Sequence, residues 1–178
     1  ADVFNLAAVF DSEDVSTDAA APTLTIGTIT GTFTRGEKIT GSASGATGRI
    51  ISTSSPVSFV STNNNSFNTS DTITGESSAA TAIVSATTVG SDVITSRYTL
   101  DTGQRDNFYD IARIVRRPSS SAPTGRLLII HDYLEHGSGD VMTVDSYTDV
   151  ANQMDYEDIP TYSATKVDPD APKPSGDF

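Results

Sequence analysis

One β-hairpin is written twice in this chain, 34 residues apart. Phe33, Ile39, Thr40, Gly41, Ser44, Ala46 and Thr47 recur as Phe67, Ile73, Thr74, Gly75, Ser78, Ala80 and Thr81, with Glu37 matched by Asp71 and Gly45 by Ala79. Eighteen consecutive positions align without a gap. The shared residues are apolar anchors, turn formers and small residues, with no His or Cys among them, so the duplication copies a scaffold and not a reactive site. A β-unit this short cannot bury its apolar face alone. Two copies packed face to face about a pseudo-twofold axis are the simplest solution, and two repeats fall short of the three that a solenoid usually needs.

The pattern around the repeats predicts an all-β chain: a small barrel or sandwich built from the two tandem hairpins, then a second small antiparallel β unit, with extended termini. Residues 1–22 read as an acidic N-terminal arm, 23–96 as the two-repeat β domain, 97–160 as the second β unit and 161–178 as a Pro-rich C-terminal tail. The arm carries Asp2, Asp11, Glu13, Asp14 and Asp18 with no basic residue. Such a composition predicts a segment without structure of its own, or one that orders only against a neighbouring subunit. In the first copy Phe33 to Gly41 reads as a strand, the small, Gly-rich stretch Gly41 to Gly48 must turn, and Arg49 to Thr53 returns. Val93 to Thr95 is placed as a strand that closes the sheet. Asn63, Asn64 and Asn65, between the copies, favour a turn with left-handed backbone.

In the second unit, Tyr98 to Gly103 reads as a strand entering a turn. Phe108, Ile111, Ile114 and Val115 fit a helix or a strand almost equally, and a turn or short helix through Asp110 followed by a strand to Arg117 is expected. Arg126 to Glu135 is the strongest strand, apolar on both faces at its start, and so is placed centrally, with Val141 to Val144 pairing back.

Composition excludes several classes. The 178 residues are 36% hydrophobic, without Trp, so the core per residue is thin and oligomerisation is a natural remedy. Zero cysteines exclude disulfides and thiolate metal sites, and no apolar run is long enough for a bilayer-spanning helix. Leu127 to Phe178 holds eleven acids against Lys166 and Lys173 within a chain of net charge −12. That field repels phosphate backbones, which argues against nucleic acid as a partner. The start at Ala1 suggests a processed product or a portion of a longer subunit.

Three constellations could carry chemistry. In His131-Asp-Tyr-Leu-Glu-His136 the gap from the first His to the Glu is four, where the inverted zinc-peptidase helix needs three. On a strand His131 and Glu135 share a face that His136 does not, so these read as structural histidines. Arg105, Arg113, Arg116, Arg117 and Arg126 could form an anion site, but acids are plentiful enough to pair with them. Asp101, Asp106 and Asp110, or Asp155, Glu157 and Asp158, could serve acid–base chemistry, yet neither group has calcium-loop spacing. No catalytic residue, metal ligand or cofactor-binding residue is therefore assigned, no cofactor is expected, and the chain reads as a non-enzyme. Gln104, Arg105, Asp106 and Tyr109 are candidates for a polar junction between the two units.

The stretch Tyr98-Thr-Leu-Asp-Thr-Gly-Gln-Arg-Asp-Asn-Phe-Tyr-Asp-Ile-Ala-Arg-Ile114 resembles a segment of large virion structural proteins of tailed phages, particularly contractile-tailed cyanophages. Pieces like His131 to Gly137, Val144-Asp-Ser-Tyr147 and Tyr156-Glu-Asp-Ile-Pro160 follow it in those proteins. The hairpin Phe33 to Ile50 is similar to short repeats in phage tail and baseplate proteins. The resemblance implies a virion component of the tail, baseplate or fibre-attachment region, whose partners are other virion subunits, copies of itself included. It carries over no catalytic residue. The alternative is a receptor- or glycan-binding module of a tail fibre, presenting Asn63 to Asn65 with Tyr133, Tyr147, Tyr156 and Tyr162. A polysaccharide depolymerase using paired carboxylates ranks third.

Overall fold

The two copies close on each other. The computed structural model describes residues 2–103 and 112–134. Strands β2 (Thr23–Ile26), β3 (Lys38–Gly41), β4 (Thr47–Ser52), β5 (Val57–Ser61), β6 (Thr72–Gly75) and β7 (Thr81–Thr88) form a closed barrel in the order β2-β5-β4-β3-β6-β7. The hairpins β3–β4 and β6–β7 come from the two repeats, and they meet edge to edge where Thr40 pairs with Thr74. Because those two residues are 34 positions apart, each faces its own counterpart, which places the pseudo-twofold axis between them. The Ser42 N–H donates to Thr72 O at 3.0 Å and the Glu76 N–H donates to Lys38 O at 2.8 Å, two bonds that the axis interchanges. A second crossing of the axis lies where β2 meets β5, with Leu24 opposite Val57. Closure removes the free edges that two separate hairpins would expose.

Period-2 alternation explains the core. Leu24, Ile39, Ile50, Val57, Phe59, Ile73 and Val84 point inward and are buried with Phe33 and Phe67. Phe59 and Phe67 meet edge to face with centroids 5.1 Å apart. Each large aliphatic side chain buried there contributes about 1.5–3 kcal/mol relative to leaving it in water. Both repeat phenylalanines sit just before their strands, so the expected strand Phe33 to Gly41 is confined to Lys38–Gly41. The backbone needed there and at the turn is left-handed in both copies: Gly36 and Gly45 in the first, Ser70 and Ala79 in the second.

Outside the barrel, β1 (Asp2–Asp11) is the middle strand of a sheet with β11 (Leu127–Leu134) on one side and β8 (Asp92–Val93) on the other. This corrects the expectation of an unstructured N-terminal arm. The acids that suggested disorder lie at the strand end and in the following loop, whereas Leu6, Ala8, Val9 and Phe10 are apolar on both faces of the strand. Ala8 and Phe10 pack with Leu128 and Ile130 against Ile51 and Val60 on the barrel wall. Val9, with Leu6, Leu127 and Ile129, packs the opposite way against Ile94, Tyr98 and Ile114. The second layer comes from the hairpin of β9 (Tyr98–Asp101) and β10 (Arg113–Arg116), entered through a short 3-10 turn at Thr95–Arg97.

That sandwiching also corrects the central placement of Arg126 to Glu135. Strand β11 is apolar on both faces because a barrel and a hairpin cover them, while in its own sheet it lies beside the middle strand, at the edge among the described residues. Val93 pairs with Phe10 of β1 and leaves the barrel to close without it. Asn63 to Asn65 stay out of left-handed backbone. Their side chains instead brace the first repeat's turn: the Thr47 N–H donates to Asn63 Oδ1 at 3.1 Å, and the Asn63 and Asn65 amides donate to Gly45 O at 2.9 and 3.2 Å. The expected strand Val141 to Val144, the turn through Asp110, the tail 161–178 and the junction of Gln104, Arg105, Asp106 and Tyr109 lie outside the described residues.

Candidate functional site: the crossed carboxylates

The repeat preserves one acid, and each copy uses it on the other. Asp71, at the entrance to β6 in the second copy, reaches the turn of the first, where the Ala43 and Ser44 N–H groups donate to its Oδ1 at 2.9 and 3.0 Å. Its second oxygen accepts from its own loop, the Asn68 N–H at 2.8 Å. Glu37, at the entrance to β3, does the same in reverse. The Ser78 N–H and hydroxyl and the Ser77 hydroxyl donate to it at 3.1, 2.8 and 3.2 Å, and the Thr34 N–H closes its own loop at 2.5 Å. The serine matched in both copies then accepts from the turn, the Ala46 N–H donating to Ser44 and the Ala80 N–H to Ser78, each at 3.1 Å.

Small residues make room for this. A Cβ on Gly41 would come within 2.7 Å of Ser44 Oγ and 3.0 Å of Asp71 Oδ2, and one on Gly75 would collide with the Glu37 carboxylate. Both acids are buried, Asp71 1% and Glu37 7% exposed. Burial pushes the Asp71 carboxyl up, but the hydrogen bonds from Asn68, Ser44 and Ala43 outweigh it and bring it down to about 2. Glu37 is also lowered: burial raises it, and the bonds from Thr34, Ser78 and Ser77 prevail. Both are therefore ionised at neutral pH, and their lone pairs are committed to amides and hydroxyls. That makes them turn caps, since a general acid needs the opposite shift.

Two further carboxylates act as clamps, one within the β1–β11 sheet and one between that sheet and the barrel. Asp11 ends β1 and accepts the N–H groups of Glu13, Thr124 and Gly125 at 3.0, 2.9 and 2.9 Å, fastening the loop that leads into β11. Its carboxyl is held below the ordinary value chiefly by the Thr124 bond, against the upward push of burial. Asp132 on β11 takes the Arg49 guanidinium from the barrel at 2.6 Å and the Asn5 amide from β1 at 2.8 Å. Burial raises its carboxyl and these bonds, Arg49 first, lower it overall.

The sequence-level candidates fall elsewhere. His131 lies on β11 opposite Leu6 with its ring 5.8 Å from that of Tyr133, while Glu135 and His136 lie outside the described residues. Among the described residues no group of three or more His, Cys, Asp or Glu is placed to hold a metal ion. Of the arginines, Arg126 pairs with Asp18 at 2.7 Å and donates to Val15 O. The Arg116 guanidinium donates to Ser120 O, and Arg117 Nε donates to Tyr98 O at 3.4 Å. Arg113 stands opposite Asp101 across the β9–β10 ladder, and Arg105 lies outside the described residues, as do Asp106, Asp110, Asp155, Glu157, Asp158, Tyr147, Tyr156 and Tyr162. Of the glycan-binding candidates, Tyr133 is exposed, whereas Asn63 and Asn65 are engaged with the adjacent turn.

Sequence reading paired Glu37 with Asp71 but gave neither a task, and it missed the Asp11 and Asp132 clamps. An acid retained at the same place in both copies was the available signal for the first pair. No protein-family model, curated protein or solved structure matches this chain.

Proposed function

We propose that this chain is a structural component of a tailed-phage virion, in the tail, baseplate or fibre-attachment region, and that it works by assembling with other virion subunits. The observation that carries the reading is the use of charge. Asp11, Glu37 and Asp71, the buried acids among the described residues, each bind main-chain amides of loops. Burying a carboxylate is costly unless it is satisfied, and here the return is a fixed shape. The resemblance of the segment from Tyr98 to Ile114 supports the same reading.

Mass spectrometry of purified particles, with immunogold microscopy, tests it. Peptides of this sequence are expected in the particle at a fixed ratio to the other tail proteins. Their presence only in the free lysate fraction would overturn the proposal. Glycan-array binding that is lost on Tyr133→Ala would favour the receptor-binding module instead.

A further inference from the structure

One exposed loop divides the chain into two parts that hold each other. Strand β1 bonds β8 and β11, β2 bonds β5 and β7, β3 bonds β6 and β4 bonds β5. Six of the nine strand pairings among the described residues therefore join residues 2–52 to residues 57–134, and those inside a part are the hairpins β3–β4, β6–β7 and β9–β10. Among the described residues β1 and β2 have no strand partner in their own part. The four carboxylates cross in the same way: Asp11 reaches Thr124 and Gly125, Glu37 reaches Ser78, Asp71 reaches Ala43 and Ser44, and Asp132 reaches Arg49.

The covalent link at residues 53–56 adds little to that interface. All four residues are exposed, and the Ser54 N–H donates to Ser52 Oγ at 3.3 Å, a bond local to the loop. A second copy offers the same strands, turns and carboxylates. We propose that the partner this interface fits is a second copy of the chain, taken up by reciprocal exchange. Residues 2–52 of each copy close on the later part of the other, and residues 53–56, which span about 13 Å when extended, become the hinge. Every strand pairing of the single chain recurs in the exchanged dimer, so the change is confined to the loop. A short flexible link gives the two parts an effective concentration on the order of 1 mM, and near that chain concentration a second copy competes on equal terms. The inference stands on strand pairing and is independent of whether the chain belongs to a virion.

The test refolds two full-length chains together under oxidising conditions, one carrying Thr40→Cys and the other Thr74→Cys. Thr40 and Thr74 are exposed and directly opposed across β3–β6, a separation that a disulfide spans, and the sequence has no native cysteine. A barrel closed within one chain then holds one thiol, so positions 40 and 74 are brought face to face only where parts have been exchanged. Mass spectrometry of the linked peptides should find the disulfide between positions 40 and 74 as the main link at about 1 mM chain, and about fiftyfold less of it at about 10 µM. Absence of that link at about 1 mM, or links joining like positions in equal amount, would overturn the proposal. Ser54→Pro with Ser55→Pro sets three prolines in a row, which favours extended chain over reversal, and should give a folded dimer by light scattering and circular dichroism at about 10 µM. A folded monomer there would also overturn the proposal. The mixing experiment leaves the loop untouched and decides the question by itself where that variant does not fold.

Discussion

Replacing Asp71 by alanine leaves three donors, the N–H groups of Ala43, Ser44 and Asn68, without the carboxylate that now holds them at 2.8–3.0 Å. Bonds to a charged acceptor contribute about 1.5–3 kcal/mol each. Ala43 and Asn68 are exposed and Ser44 half-buried, so water replaces part of what is lost and the lower end applies. The expected cost is about 4 kcal/mol, a large part of the 5–15 kcal/mol that a typical domain has. Urea unfolding of the full chain, followed by circular dichroism, measures it. Because Asp71 and Ser44 belong to one network, Asp71→Ala combined with Ser44→Ala should cost less than the two singles together. A loss under about 1 kcal/mol for Asp71→Ala, or strict additivity in the pair, would refute the claim that this acid holds the other copy's turn.

The same residue sets an acid limb. The folded chain keeps Asp71 ionised down to about pH 2, while the unfolded chain protonates it near 3.8, so between those values the unfolded state binds more protons and stability falls as pH falls. The contribution is whole above about pH 4 and gone below about pH 2, and Asp71→Ala should flatten that limb. Ala79→Gly should stabilise by about 0.5–1 kcal/mol in urea unfolding, because Ala79 has φ +54° where the first copy already uses Gly45. Ile39→Ala and Ile73→Ala, at axis-related positions with 0% exposure, should each cost about 2–5 kcal/mol and agree within about 1 kcal/mol. Asp132→Asn should cost about 1 kcal/mol, with the difference shrinking in 1 M salt, since the Arg49 ion pair is only partly shielded from water.

What could be read from the sequence was local. The duplicated anchors Ile39 and Ile73, Phe33 and Phe67 announced two equivalent hairpins, and all four sit in the barrel core. Closure at Thr40–Thr74 depends on pairing between copies, which no property of either copy encodes. The caps escaped for the same reason: Glu37 and Asp71 were visible as a matched pair, but each one's partner is the opposite turn. Strand β1 was hidden by Asp2, Asp11, Glu13, Asp14 and Asp18, whose charge outweighed the apolar run Leu6 to Phe10 in a reading by composition. The burial of Asp11 as a clamp for Thr124 and Gly125 could not be read at all, since the loop it binds lies over a hundred residues away.

A carboxyl-detected NMR titration of Asp71, read together with the amide shifts of Ala43 and Ser44, addresses the interlock itself. A midpoint of about 2, shared by the carboxyl and by both amides of the other copy, is the expected result. An Asp71 midpoint near 3.8, with Ala43 and Ser44 indifferent to it, would mean that the two ribbons do not hold each other in this way.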